Sequence, residues 1–244
     1  MEPVALKSIK AIFFDADDTL FSVYPSVGDI YSSCASEFGL KISAELINRS
    51  VLDVWQQFRD SFQRRNYNYK TTEEQEKKLW YQFIEMVFKA CSEEKLPAGL
   101  SDRIYEAFSD PASRRLKAGV KELLEELQNK YLLGVLSNND RRIESVIEGL
   151  GIRQHFTWVY PAFVTGYKKP SPEVYRWIEK KHGFRSDQLL HIGDSFENDY
   201  QAALNAGWHA IWLSNGNNVG QGAEVLAAGT IKDLTKILSS GKII

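Results

Sequence analysis

Four short polar segments carry the residue types that bind cations, attack as nucleophiles and move protons. They are Asp15-Ala16-Asp17-Asp18-Thr19, Ser137-Asn138-Asn139, Gly166-Tyr167-Lys168-Lys169-Pro170 and Gly193-Asp194-Ser195-Phe196-Glu197-Asn198-Asp199. Carboxylates can hold a hard divalent cation, form covalent intermediates or act as general acids and bases. A hydroxyl and a lysine can stabilise negative charge. Two acidic clusters, one hydroxyl and one lysine therefore suit a single active site, provided that the fold brings them together.

Apolar runs beside these segments predict the strands that would position them. The runs are Ala11–Phe14, Leu132–Leu136, Leu189–Ile192 and Ala210–Leu213, with Trp158–Tyr160 as a weaker fifth. Short continuous apolar runs are typical of strands that are covered on both faces, as in parallel sheets. The carboxyl ends of such strands gather functional residues at one edge of the sheet. We therefore expect the polar segments to meet at that edge.

Helical patterns alternate with the strands, which predicts βαβ units and a mainly parallel sheet between helices. These helices are indicated by apolar spacing at Val120, Leu123, Leu124 and Leu127, by Arg141–Leu150 before Gly151, by Ser171-Pro172 as a helix start, and by Asn198–Ala206 before Gly207. The stretch from Phe21 to Ala112 breaks this alternation, because it shows no convincing strand. Leu46, Ile47, Val51, Val54, Trp55, Phe58 and Phe62 share one helical face, and Thr72-Glu73-Glu74-Gln75 is typical of a capping box that opens a helix through Lys89.

In this order and spacing, the four polar segments resemble the four motifs of the haloacid dehalogenase superfamily. Asp15-x-Asp17-x-Thr19 is similar to the first motif, Ser137 to the second, Lys169-Pro170 to the third, and Gly193-Asp194 with Asp199 to the fourth. The resemblance implies an α/β fold with a Rossmann-like core, residues 1–21 and 113–244, and an all-helical cap, residues 22–112. Around Asn66, Tyr67 and Trp80 the sequence resembles one narrower group within the superfamily.

The resemblance also implies a Mg²⁺-dependent phosphatase that cleaves a small phosphorylated metabolite through an aspartyl-phosphate. Asp15 would be the nucleophile, and Asp17 would protonate the leaving oxygen and later activate water. The Mg²⁺ ligands would be the Asp15 and Asp194 side chains and the Asp17 main-chain carbonyl. Asp199 would orient Asp194 or Lys169.

The phosphoryl oxygens would be bound by the hydroxyl and lysine segments. The resemblance assigns Ser137 and Lys169 both to catalysis and to phosphate binding. It assigns Asn138, through its backbone N–H, and Thr19 to phosphate binding. Taken singly, each of these residues is as typical of a turn, a helix cap or a solvated loop. Their joint placement at one sheet edge favours the catalytic interpretation. Asp18 is interpreted as structural.

Other reactive residue types show no comparable pattern. We expect His191 to lie in the core or behind the site, and we expect Cys34 and Cys91 to pack. The arginines of the long helix suit a solvated face or a substrate contact, and the asparagine-rich stretch after the last strand suits a surface turn. The histidines are His155, His182, His191 and His209, and they show no metal-ligand spacing. The arginines are Arg59, Arg64 and Arg65, and the asparagine-rich stretch is Asn215-Gly216-Asn217-Asn218.

Three other functions remain open at the level of sequence. A 2-haloacid dehalogenase would use the same nucleophile without metal, but by resemblance such enzymes lack the second aspartate of the first motif, so Asp17 argues against it. A phosphomutase would differ only in the group that accepts the phosphoryl. A non-catalytic binding module is disfavoured because all motif residues are present.

Composition narrows the class of protein. The 244 residues carry 30 Lys+Arg and 32 Asp+Glu, so a nucleic-acid binder that relies on bulk charge is disfavoured. Two cysteines cannot form a disulfide framework, and neither a signal peptide nor an apolar membrane span is evident. We expect a cytoplasmic enzyme, monomeric or a weak homodimer, whose partner is a small phosphorylated substrate, not nucleic acid or a membrane.

Two departures from the superfamily pattern and one aromatic cluster complete the prediction. Ser171 stands where many members carry an aspartate, although it still suits a helix N-cap. The segment Tyr160–Thr165 lacks the usual polar residues before the lysine, which could alter the position of Lys169. Nine aromatic residues fall between Trp55 and Phe88, where most would pack the cap and some would face the substrate.

Overall fold

A parallel β-sheet forms the centre of the computed structural model, which describes residues 4–5, 8–65, 69–215, 225–240 and 242–243. Within those residues the sheet has six strands in the order β6-β5-β2-β7-β8-β9. They are β2 (Ala11–Phe14), β5 (Leu132–Ser137), β6 (Trp158–Pro161), β7 (Leu189–Gly193), β8 (His209–Leu213) and β9 (Ala227–Ala228). The prediction of a mainly parallel sheet in an α/β fold is confirmed, and all five apolar runs are strands.

Helices cover both faces of this sheet, as alternation along β2 shows. Ile12 and Phe14 point to one hydrophobic cluster, with α5 (Val120–Leu127), α6 (Arg142–Gly149) and α10 (Ile231–Ser239). Ala11 and Phe13 point to the other, with α8 (Pro172–His182) and α9 (Ala202–Asn205). The short helix α7 (Ala162–Thr165) follows β6. Because both faces are buried, β2 reads as a continuous apolar run.

Between residues 22 and 112, the described part of the chain contributes four helices with a hydrophobic cluster of their own. They are α1 (Val27–Glu37), α2 (Ala44–Arg65), α3 (Glu73–Cys91) and α4 (Leu100–Ala107). The predicted start of α3 is confirmed, because the Thr72 side chain accepts a hydrogen bond from the Gln75 N–H. The Ser171 hydroxyl likewise caps α8 by accepting from the Glu173 N–H. We call residues 22–112 the helical insertion.

One local prediction is wrong, and a second gives a helix with a different start and first turn from those in the structure. A strand, β3 (Phe21–Val23), lies at the start of the segment expected to have none, and it pairs antiparallel with β4 (Arg114–Leu116). It has three residues, too few for a periodic signal, and its partner lies beyond the whole insertion. The helix expected over Asn198–Ala206 begins instead as a π-helix, Phe196–Gln201, before α9.

Two further features complete the described chain. The terminal strands β1 (Val4–Ala5) and β10 (Lys242–Ile243) pair antiparallel. A search of the described helices finds none that combines the length and the apolar character needed to cross a bilayer.

Candidate active site

The carboxyl ends of β2, β5 and β7 bring the four polar segments together. Asp15 follows β2, and its backbone N–H donates to the Ile192 carbonyl of β7 at 2.8 Å. Ser137 is the last residue of β5, and Asp194 follows β7 directly. The loop after α7 supplies Lys169. The predicted meeting of these segments at one sheet edge is what the structure shows.

Three carboxylates lie close together at this edge. Asp15, Asp194 and Asp199 each offer an oxygen, and these oxygens lie within 4.8 Å of one another. The Thr19 hydroxyl sits between two of them, 3.3 Å from Asp15 Oδ2 and 3.2 Å from Asp194 Oδ1, and it accepts from the Asp194 N–H at 3.0 Å. Thr19 is fully buried, so its contacts favour ordering these carboxylates over the direct phosphate contact predicted from sequence.

A buried lysine joins the acidic cluster. Lys169 Nζ lies 2.6 Å from Asp15 Oδ1 and 2.5 Å from Asp199 Oδ1, with 2% of its side chain exposed. The Asn138 amide fixes the lysine backbone, donating to the Lys169 carbonyl at 2.8 Å and accepting from its N–H at 2.7 Å. Lys169 therefore reaches Asp15 although Tyr160–Thr165 lacks the usual polar residues before the lysine. This use of the Asn138 side chain was not predicted.

Asp199 has its own set of partners behind the cluster. Besides Lys169, His191 Nε2 lies 2.9 Å from its Oδ1, and the Ser195 N–H donates to its Oδ2 at 3.0 Å. Gly193 permits this packing, since a Cβ there would lie 2.3 Å from Asp199 Cγ. His191 thus lies behind the site, as the sequence predicts.

Burial and ion pairing shift the pKa values of the three carboxyl groups in opposite directions. Burial raises the pKa of Asp15 well above its ordinary value, although Lys169 opposes the shift. Burial and the neighbouring Asp199 raise the pKa of Asp194 to about 6. Burial alone would raise the pKa of Asp199, but Lys169 and His191 outweigh it and hold that pKa below its usual range. Asp199 is therefore the carboxyl group of the cluster that stays ionised most readily, because its partners stabilise its charged form.

Asp17 points to a different set of partners. Arg114 Nε, at the start of β4, donates to its Oδ1 at 2.5 Å, and Asn139 Nδ2 donates to its Oδ2 at 2.8 Å. Neither partner was predicted. Arg114 lies beyond the insertion, so no local motif connects it with Asp17, whereas Asn139 follows the predicted Ser137 and Asn138 and could have been included. Asp18 has a φ of 58°, and its carbonyl accepts from Asn215 Nδ2 at 3.0 Å, which suits its structural interpretation.

A cavity of about 320 Å³ opens above these residues. Its floor includes Asp15, Asp17, Ser137 and Asn138 from the core. The helical insertion supplies the opposite wall, which includes Val27, Tyr31, Val51, Trp55, Trp80 and Phe83. Three of the aromatic residues noted in the sequence, Trp55, Trp80 and Phe83, thus face the predicted site.

Several other sequence candidates lie away from the cluster or outside the description. His155 contacts Gln128, and His182 contacts Tyr160. Cys34 is buried and Cys91 half-buried in the packing of the insertion, as predicted. Outside the described residues lie Asn66, Tyr67, Gly216, Asn217 and Asn218, and the side chains of Arg59, Arg64 and Arg65 are likewise not described.

Comparison with known proteins gives relatives of similar length. The chain is 27% identical over 211 residues to haloacid dehalogenase-like hydrolase domain-containing protein 3 of Bos taurus, covering 84% of this chain and 82% of the relative. This protein represents the narrower group that the sequence around Trp80 resembles. The chain is also 29% identical over 218 residues to phosphoglycolate phosphatase of Vibrio cholerae, covering 88% and 89% of the two chains.

Solved structures share the fold. The putative HAD-hydrolase YfnB from Bacillus subtilis, bound to magnesium, has a TM-score of 0.74 at 18% identity over 94% of this chain and 98% of its own. The L-2-haloacid dehalogenase RSc1362 has a TM-score of 0.73 at 18% identity over 95% and 99%. A family model described as haloacid dehalogenase-like hydrolase matches residues 9–207. The chain therefore belongs to the haloacid dehalogenase-like hydrolase family.

Proposed function

We propose that this hydrolase is a Mg²⁺-dependent phosphatase that cleaves a small phosphomonoester through an aspartyl-phosphate on Asp15. The observation that carries the proposal is the shared cavity, since Asp15 and Asp17 both line it together with Ser137 and Asn138. A nucleophile, a proton donor and phosphate-binding groups thus face one space. The relative named phosphoglycolate phosphatase adds support.

Asp15 is the nucleophile in this proposal, and Lys169 is the fixed cation beside it. A carboxylate attack splits a slow hydrolysis into two easier steps, formation and hydrolysis of an acyl phosphate. The Lys169 ammonium, held by Asp199 while the Asn138 amide fixes the Lys169 backbone, offsets negative charge as phosphate approaches. The Ser137 hydroxyl and the Asn138 N–H supply further donors to the phosphoryl oxygens.

The donor set suits Mg²⁺, which prefers a few carboxylate oxygens and keeps several waters. The Asp15 and Asp194 carboxylates and the Asp17 main-chain carbonyl would hold it. Asp199 is assigned to orienting Lys169, because its Oδ1 lies 2.5 Å from Lys169 Nζ and its Oδ2 accepts from the Ser195 N–H. When bound, the cation neutralises the charge that separates a carboxylate nucleophile from a phosphate dianion. The magnesium bound to YfnB is consistent with this assignment.

Asp17 is the general acid and base of the proposed reaction. Both of its oxygens accept hydrogen bonds, from Arg114 and from Asn139. To protonate a leaving oxygen, Asp17 must therefore exchange one of these donors for the substrate. The Arg114 contact also links the acid to β4, where the chain returns from the insertion. We propose on this basis that residues 22–112 act as a cap on a core of residues 1–21 and 113–244; the separate hydrophobic cluster of α1–α4 supports that division.

A 2-haloacid dehalogenase is the second candidate, because solved dehalogenases share the fold. The resemblance of the first motif argues against it through Asp17. A phosphomutase would use the same residues with a sugar phosphate as acceptor.

A substrate screen tests the proposal. We expect Mg²⁺-dependent release of inorganic phosphate from some small phosphomonoesters and none from the Asp15→Asn variant. Sugar phosphates, nucleotides and small phosphoesters should be assayed with Mg²⁺ and with EDTA, alongside halide release from 2-haloacids. Halide release without phosphate release, or phosphate release that EDTA leaves unchanged, would contradict the proposal.

A further inference from the structure

The cavity above Asp15 has two chemically different halves. Its core side carries carboxylates, amides and a hydroxyl, whereas its insertion side is formed by aliphatic and aromatic side chains. A phosphoryl group that reaches Asp15 must occupy the core side. The remainder of the substrate then lies against the apolar wall. A volume of about 320 Å³ leaves room for a group larger than a two-carbon chain.

The apolar wall presents an aromatic surface that packing within the protein leaves partly open. Trp55 lies 6.1 Å from Trp80 and 5.4 Å from Phe83 between ring centroids, yet it remains 44% exposed. The burial of a large aromatic side chain stabilises most when both faces of the ring are covered. Offset or edge-on contacts with other rings add further stabilisation. A ring on the ligand would complete this cluster.

The two cations on the cavity wall already have anionic partners. Arg114 is paired with Asp17, and Arg142 Nε lies 2.9 Å from Asp140 Oδ1. The Arg142 guanidinium is also held against the Tyr105 ring at 3.9 Å. Among the described side chains of the wall, a second anionic group on the substrate would lose its hydration without gaining an unpaired cation, and that desolvation is costly.

The Tyr31 hydroxyl is a polar group of this wall that remains available to a ligand. Tyr31 is 3% exposed and lines the cavity, and within the described part of the chain its hydroxyl has no hydrogen-bond partner. A buried hydroxyl usually finds a partner, so a single polar atom on the ligand is accommodated here.

We propose that the substrate is a phosphomonoester whose leaving group is uncharged, mostly apolar and large enough to carry a ring. This inference rests on the proposed phosphatase function of the same site. It separates this protein from an enzyme that selects phosphoglycolate, whose leaving group carries a carboxylate.

Three alkyl phosphates test the inference: 2-phenylethyl phosphate, ethyl phosphate and phosphoglycolate. All release alcohols, so differences in kcat/KM reflect recognition more than leaving-group chemistry. With Mg²⁺ we expect 2-phenylethyl phosphate to exceed each of the others by about tenfold or more, as burial of an aromatic ring predicts. Trp55→Ala should reduce its kcat/KM about tenfold and reduce that of ethyl phosphate by a clearly smaller factor, so that the ratio of the two falls. Leu52→Ala is the matched control, because Leu52 lies on the same helix, is 73% exposed and is outside the cavity wall.

Calorimetric binding to the Asp15→Asn variant separates the two claims, because it needs no turnover. If none of the three phosphates is hydrolysed, these substrates give no support to the proposed phosphatase function. Tighter binding of 2-phenylethyl phosphate than of the other two would even then support the apolar site. Equal binding of all three overturns the inference. So does a preference for phosphoglycolate, or a Trp55→Ala variant that keeps the ratio of the wild-type protein, even when phosphatase activity is present.

Discussion

Lys169 is the residue that allows three carboxylates to lie at one sheet edge. Its ammonium contacts Asp15 and Asp199, which together raise its pKa although burial acts in the opposite direction. Among the described residues Asp194 forms no ion pair of this kind, and burial together with the neighbouring Asp199 raises its pKa to about 6. The charge of Asp194 is thus less well compensated than that of Asp199, and a cation bound beside Asp194 would relieve repulsion between these carboxylates.

This imbalance predicts how stability depends on pH in the metal-free protein. The folded pKa of Asp194, about 6, lies above its ordinary value of 3.8, so the folded state binds more protons between these values. The Asp194 contribution to stability is then complete below pH 3.8 and is lost as pH rises through 6. In EDTA, Asp194→Asn should gain about 1–3 kcal/mol in free energy of unfolding, relative to wild type, between pH 4 and pH 7. Urea denaturation of both proteins at pH 4 and at pH 7 measures this gain. If the stability difference between Asp194→Asn and wild type is the same at the two pH values, the account is refuted.

The assignment of Asp17 predicts a selective loss of chemistry. Asp17→Asn should still bind substrate while kcat falls by roughly 10²–10⁴, the usual contribution of a general acid or base. Asp18→Asn is the matched control, because Asp18 adjoins it and asparagine tolerates a φ of 58°. Steady-state kinetics of both variants provide the measurement. Equal rates for Asp17→Asn and wild type would remove Asp17 from the mechanism.

At the scale of elements, the junction between β7 and the π-helix depends on the absence of a side chain at Gly193. A Cβ there would lie 2.3 Å from Asp199 Cγ, so Gly193→Ala must displace Asp199 from Lys169. We expect the free energy of unfolding to fall by about 1–3 kcal/mol, as overpacking does, and turnover to fall with it. Gly229→Ala is the control, since its Cβ would meet only Asp233 at an ordinary 3.5 Å. Urea denaturation that shows the same stability for both variants would contradict this view of the junction.

Helix α3 is tied to the lysine loop by a buried ion pair. Glu76 is fully buried and accepts from Lys168 Nζ at 2.7 Å, beside the catalytic candidate Lys169. Glu76→Ala leaves a half-buried cation without this partner and should lower the free energy of unfolding by about 3–5 kcal/mol. Glu73, on the same helix, pairs with Arg141 at the exposed surface, so Glu73→Ala should cost no more than about 1 kcal/mol. Thermal and urea denaturation compare the two; equal losses would show that burial does not distinguish the pairs.

Across the whole molecule, the features predicted from sequence are those with a local signal. The β2, β5 and β7 strands are continuous apolar runs, because both faces are covered, and each ends at a polar residue. The meeting of Asp15, Lys169 and Asp199 followed from the predicted parallel sheet, since parallel strands share a carboxyl edge.

The features that were missed depend on contacts between distant parts of the chain. The β3–β4 pair closes around the entire insertion, and Arg114 meets Asp17 only because that pair forms. The π-helix contains Asp199, which lies against Gly193, and helical periodicity does not reveal this close contact. The apolar cavity wall needs the relative placement of α1, α2 and α3, so sequence predicted aromatic residues there without showing which of them face the site.

The central claim is that Asp15 is the nucleophile. Its most direct test is the Mg²⁺-dependent hydrolysis rate of Asp15→Asn on the best phosphomonoester of the screen, measured together with the mass of the acid-quenched protein. The account predicts a phosphoryl adduct on Asp15 in the wild-type protein, and neither adduct nor turnover in Asp15→Asn, whereas Asp18→Asn keeps both. Retained Mg²⁺-dependent hydrolysis by a folded Asp15→Asn variant would contradict the assignment of Asp15 as the nucleophile.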